Sequence, residues 1–99
     1  MRANAKKQVT FVCTVNSKAQ AVYLVGDFND WQPTTGRMDK KKNGAFQIKM
    51  KLPPGKFQYK FIVDGIWFND PQAQEQVMNP YGTMNSIVIR GVNVDNGVN

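Results

Sequence analysis

The stretch from Lys56 to Phe68 constrains the fold more than any other part of the chain. Phe57, Tyr59, Phe61 and Val63 alternate with Lys56, Gln58, Lys60 and Ile62. A period of two is the signature of a strand that buries one face. The run ends at Asp64-Gly65. That dipeptide suits a two-residue type I′ turn, whose central positions both need positive φ. Such a turn pairs Val63 with Ile66, Ile62 with Trp67 and Phe61 with Phe68. Partners across a hairpin share a face. Phe61, Val63, Ile66 and Phe68 are therefore expected on the core side, and Lys60, Ile62, Trp67 and Asn69 on the solvent side. A slip of one residue would invert the faces and bury Lys60. A large indole on a polar face, diagonal to a lysine, is a candidate platform for a flat ligand.

The rest of the chain repeats the strand pattern. Gln8 to Val15 places Val9, Phe11, Cys13 and Val15 on one face. Ala21 to Phe28 is more continuously apolar, Phe46 to Leu52 alternates cleanly, and Ser86 to Arg90 supplies a last short strand. Asn43-Gly44 and Pro53-Pro54-Gly55 punctuate them with turn chemistry. No segment shows sustained helical periodicity. Short strands at regular spacing predict an all-β, antiparallel β-sandwich. With 99 residues the chain holds one domain. Residues 8–90 are expected to form it, with 1–7 as an N-terminal extension and 91–99 as a flexible tail.

Composition removes several function classes. There is no histidine, so neither a Ser-His nor a Cys-His pair is available. The lone Cys13 lies on an inward-facing strand position, where thiols are usually inert. Zinc-type ligand sets are absent. Asp27, Asp30, Asp64 and Asp70 fall in turns, where aspartate commonly stabilises backbone. The expectation is no catalytic residue, no metal and no cofactor. The net charge of +6 comes mostly from dispersed lysines. The Lys40-Lys41-Lys42 run adjoins a turn signal and reads as a solvated loop. Single-stranded nucleic acid could use Trp67 beside Lys60, and steep salt dependence would reveal it. Nucleic acid and membrane are nonetheless not expected as partners. No run approaches the roughly 18 apolar residues of a membrane helix. With one unpaired cysteine and no signal-type apolar run, a cytoplasmic setting is expected.

Four blocks carry a resemblance. They are Val22 to Trp31 (VYLVGDFNDW), Leu52 to Trp67 (LPPGKFQYKFIVDGIW), Asn69-Asp70-Pro71, and Gly82 to Asn85 (GTMN). In order and spacing they resemble carbohydrate-binding module family 48, and within it the glycogen-binding domain of AMP-activated protein kinase β subunits. The same module precedes the catalytic domains of isoamylases and branching enzymes. The resemblance covers roughly residues 8 to 90. It implies an early-set, immunoglobulin-like sandwich that binds α-1,4-linked glucan without catalysis. It also implies roles: Trp31 and Trp67 stack on glucose rings, Lys60 and Asn85 hydrogen-bond sugar hydroxyls, and Thr83 lies near them. Tyr81 stands where the kinase-type modules insert a leucine against the sugar, in a stretch about one residue longer than theirs. The alternative implied by the family is a docking module that associates with a glucan-metabolising enzyme or a kinase subunit.

Overall fold

The structure, a computed structural model, describes residues 6–91. The segments set apart as extension and tail lie almost wholly outside the described residues. The first strand, however, already begins at Lys7.

Eight strands follow in order: β1 (Lys7–Cys13), β2 (Val22–Gly26), β3 (Asp39–Lys40), β4 (Phe46–Leu52), β5 (Gly55–Val63), β6 (Ile66–Phe68), β7 (Glu75–Met78) and β8 (Met84–Arg90). Among the described residues a single 3-10 turn spans Asp27–Asn29. One sheet has the order β1-β4-β3, and the other β2-β5-β8-β7 with β6 also paired to β5. Every named strand pairing is antiparallel. The two sheets enclose one core, to which Phe11, Cys13, Phe46 and Leu52 come from the first sheet and Val22, Leu24, Tyr59, Phe61 and Val63 from the second. Within it the Tyr59 ring meets Phe11 edge-on at 5.0 Å and Phe61 at 5.8 Å between centroids. The all-β, antiparallel sandwich expected from the alternation is the fold. Among the described residues no helix is long and apolar enough to cross a membrane.

The hairpin register is the expected one, with Val63 opposite Ile66, Ile62 opposite Trp67 and Phe61 opposite Phe68. Asp64 and Gly65 both have positive φ, 48° and 86°. Asp64 is anchored further, because its Oδ1 accepts the backbone N–H groups of Gln20 and Ala21 at 2.9 Å.

The burial differs from the expectation at three positions. Ile66, expected on the core side, is 61% exposed. It lies on the edge strand β6, whereas its partner Val63 is flanked on the other side by Val22 of β2 and stays in the core. Lys60 and Ile62, expected toward solvent, are only 8% and 7% exposed. No register slip causes this. β2 runs along one edge of β5, while β8 and β6 share the other edge at successive positions. Lys60 sits where that edge passes from β8 to β6, and its Nζ donates to the Met84 carbonyl at 2.7 Å. The outer face at this point is therefore the floor of a depression. β3 and β7 were not expected, because two residues (DK) and four (EQVM) carry no readable alternation.

The close approach of β2 to β5 rests on Gly26. A Cβ built there would lie 2.5 Å from the Gln58 carbonyl oxygen and 2.9 Å from the Tyr59 Cβ. Its φ of −180° is ordinary extended backbone, so the requirement is one of space. Gly26→Ala is expected to destabilise the domain by about 1–3 kcal/mol, as overpacking does. Urea unfolding of the two proteins measures the difference.

Candidate functional site

The outer face of the larger sheet carries the side chains of interest. Gln58, Lys60 and Ile62 project from β5, and Trp67 sits beside Ile62 on β6. The β5–β8 pairing sets Gln58 opposite Ile87 and Tyr59 opposite Ser86. Continued by one residue, it brings Asn85 to the outer face next to Lys60. The β7–β8 connection rises beside them and presents Tyr81 almost fully exposed, at 89%.

Trp31 arrives from the other side. After Gly26 the chain makes its 3-10 turn, and then Asp30 and Trp31 adopt φ of 56° and 57°. Aspartate tolerates the left-handed region, but a bulky side chain there is an outlier and stores strain. The loop is held by its neighbours. Asn29 Oδ1 accepts the Gly26 N–H at 3.0 Å, Asn29 Nδ2 donates to the Leu24 carbonyl at 3.1 Å, and the Trp31 N–H donates to the Gly26 carbonyl at 3.0 Å.

Trp31, Lys60, Trp67, Tyr81, Thr83 and Asn85 all line one open cleft of about 620 Å³. The structure thus brings together all six residues selected from sequence. Asp27, Gln58, Asn79 and Pro80 complete the lining.

The polar lining is tied into a network. Trp31 Nε1 donates to Asp27 Oδ1 at 3.1 Å, and the Gln58 backbone N–H donates to Asp27 Oδ2 at 2.7 Å. The Gln58 side chain accepts from Asn85 Nδ2 at 3.0 Å. Asn85 Oδ1 accepts from Asn79 Nδ2 at 3.0 Å, and that same amide reaches Thr83 Oγ1 at 2.6 Å. Asn79 Oδ1 takes the N–H groups of Tyr81 and Thr83 at 3.0 and 3.1 Å. Asn79 thereby shapes the turn that carries Tyr81. Gln58 links the Trp31 side of the cleft, through its backbone, to the Tyr81 side, through its side chain.

Both ionised groups of the cleft hold hydrogen bonds to neutral partners: Asp27 accepts two N–H groups, and the Lys60 ammonium donates to the Met84 carbonyl. Burial lowers the Lys60 pKa from the usual ammonium range. On the inner side of the same sheet, burial first and then the Asp70 carboxylate raise the Tyr59 phenol well above its usual value. Tyr59 donates to Asp70 Oδ2 at 2.7 Å, and Ser86 Oγ accepts the Asp70 N–H at 2.6 Å. This inner cluster holds the loop between β6 and β7 against the sheet. Burial likewise pushes the Cys13 thiol up, away from the reactive thiolate.

Three of these residues carry little signal in the sequence. Asp27 sits among turn residues, and Gln58 on an ordinary polar strand face. Asn79 left a usable trace, because Asn79-Pro80 is itself a turn signal.

The fold and cleft define a small β-sandwich module whose open site is aromatic and polar. The family model for the glycogen recognition site of AMP-activated protein kinase matches residues 9–94, and the chain belongs to that family. The likeness read from the four sequence blocks therefore holds. Among curated proteins, the chain is 47% identical over 55 residues to the chloroplastic protein PTST homolog 2 of Arabidopsis thaliana. It is 41% identical over 56 residues to the chloroplastic protein FLOURY ENDOSPERM 6 of Oryza sativa subsp. japonica. These matches cover 56% and 57% of this chain but 10% of each plant protein. The 5'-AMP-activated protein kinase subunit beta-1 of Sus scrofa is 41% identical over 69 residues, covering 68% of this chain and 52% of the relative. A crystal structure of the maltogenic amylase from S. marinus superposes with a TM-score of 0.70 over 88% of this chain and 14% of that one. At 23% identity it speaks for the fold alone.

The cytoplasmic expectation is corrected by these matches, since two of the relatives are chloroplastic proteins. A single buried cysteine shows that the domain needs no disulfide. It does not assign the compartment in which the domain works.

Proposed function

We propose that this chain is a non-catalytic module that binds α-1,4-linked glucan, such as glycogen, starch or a maltooligosaccharide, through Trp31 and Trp67. The observation that carries the reading is the pairing of two accessible indoles with a hydrogen-bonded polar floor in one cleft. A glucose ring has a face of C–H groups and a rim of neutral hydroxyls. Rigid indoles cover the former at small entropic cost. Lys60, Asn85 and Thr83 supply donors and acceptors to the latter, each already held by a neighbour and so preorganised. Tyr81, at the tip of the turn, adds a third aromatic wall. The family's description as a glycogen recognition site supports the ligand class, and the kinase beta-1 subunits among the relatives support association with an enzyme partner. The cleft takes up one outer face of the sandwich and leaves the β1-β4-β3 face for such a partner.

Hydrolysis is no part of this reading. A glycosidase needs two carboxyl groups across the scissile bond. Among the described residues, Asp27 is the only carboxylate in the lining of this cleft.

The test is isothermal titration with maltoheptaose. A Kd of roughly μM to mM is expected for so open a site. The Kd should change less than about twofold between roughly 50 and 200 mM salt, where phosphate binding would weaken by orders of magnitude. Absence of heat with maltoheptaose, or a steep salt slope, would reject the assignment.

A further inference from the structure

Asp27 is exposed at the rim of the cleft, yet both of its oxygens are committed. The β2–β5 ladder ends with Gly26 opposite Tyr59. The next pair in register would be Asp27 with Gln58. The chain has already left the sheet there for its 3-10 turn, so the Gln58 N–H has no strand carbonyl to meet. Asp27 Oδ2 takes that N–H at 2.7 Å, in place of the missing backbone carbonyl. Its Oδ1 takes the indole N–H of Trp31 at 3.1 Å. One carboxylate thus ties the rigid sheet to the edge of the ring. The backbone at Trp31 resists its own conformation, with φ of 57° directly after a φ of 56° at Asp30. A ring on such a loop keeps a fixed orientation only if its side chain is held as well.

The geometry points to Asp27 as the positioning residue of the Trp31 platform, clamping the indole edge to β5 so that the ring face stays open toward a neutral sugar. This rests on the glucan reading of the cleft. The clamp has a second consequence. A carboxylate that accepts from an indole N–H polarises the ring and enriches its faces in electron density. Those faces are the surfaces that meet sugar C–H groups. With its N–H engaged, Trp31 contacts the ligand by face and contributes no donor.

The test uses the 99-residue chain, maltoheptaose and four proteins: parent, D27N, W31F and the double variant. Asparagine keeps the size of the side chain but removes its charge and sets a donor against one of the two N–H groups. D27N is expected to weaken maltoheptaose binding about tenfold, as loss of a charge-assisted hydrogen bond does. Phenylalanine at 31 has no N–H to hold, so adding D27N to W31F is expected to cost less than about twofold. Equal losses in both backgrounds would mean that Asp27 meets the sugar directly or merely supports β5, and would overturn the inference. A second readout needs no ligand. In W67F, where Trp31 is the sole tryptophan, D27N should lower emission anisotropy and increase acrylamide quenching. Unchanged emission overturns the clamp. If the parent chain fails to bind maltoheptaose, the glucan reading falls, and the emission data alone still judge the clamp.

Discussion

Trp67→Ala is expected to abolish retention of the chain on an amylopectin affinity gel while leaving its unfolding nearly unchanged. The indole is 48% exposed, so about half of its surface is free to meet a ligand. Covering about 100 Å² of apolar area contributes roughly 2.5 kcal/mol. Against a parent Kd of μM to mM, that loss of nearly a hundredfold removes measurable retention. The folded state loses much less. Trp67 stands on a three-residue strand, and its cross-strand neighbour is Ile62. A pair of that kind contributes about 0.2–1 kcal/mol. Trp31→Ala should match it on the gel, because both indoles line the same cleft. Migration of both variants like the parent would remove the tryptophans from the site.

Phe61→Ala has the opposite profile. Phe61 is completely buried and packs edge-on against Tyr59 in the centre of the core. Truncating a buried phenylalanine costs about 3–5 kcal/mol. Domains of this size hold about 5–15 kcal/mol in all. At roughly 4–8 °C per kcal/mol, calorimetry should show a melting point at least about 12 °C lower. Binding below the transition should stay within a few-fold of the parent. Phe61 points into the core, whereas its neighbour Lys60 points to the cleft, as strand alternation requires. The two variants together separate what holds the sandwich from what holds the ligand. A Phe61→Ala protein that melts like the parent would contradict the core described above.

Strand alternation made much of this legible in advance. Phe46 to Leu52 and the hairpin around Asp64-Gly65 could be placed to the residue, because both faces of a strand are encoded locally. That arithmetic set Trp67 on the outer face with no appeal to any relative. Trp31 was visible only as a loop aromatic, and its link to Trp67 came from the family likeness. Lys60 shows the limit of the method. Alternation assigned the correct face but not its burial, because burial depends on what β8 and the 79–83 turn place above that face. Ile66 is the mirror case, with its parity right and its exposure wrong, since it stands on the edge strand while its partner Val63 stays in the core.

The determinants of the platform orientation were hidden for the same reason. Asp27, Gln58 and Asn79 are ordinary turn and strand residues in one dimension, and their hydrogen bonds span from 2 to 31 positions of sequence. By itself the sequence determined the sheet faces, the hairpin register and the presence of an indole beside a lysine, all of which follow from side-chain period and turn sterics. Only the tertiary structure decided that Trp31 and Trp67 share one cleft, that its carboxylate and ammonium are both hydrogen-bonded, and that a carboxylate beyond the end of β2 accepts the Trp31 indole N–H. Those are contacts between segments distant along the chain, and no local pattern records them.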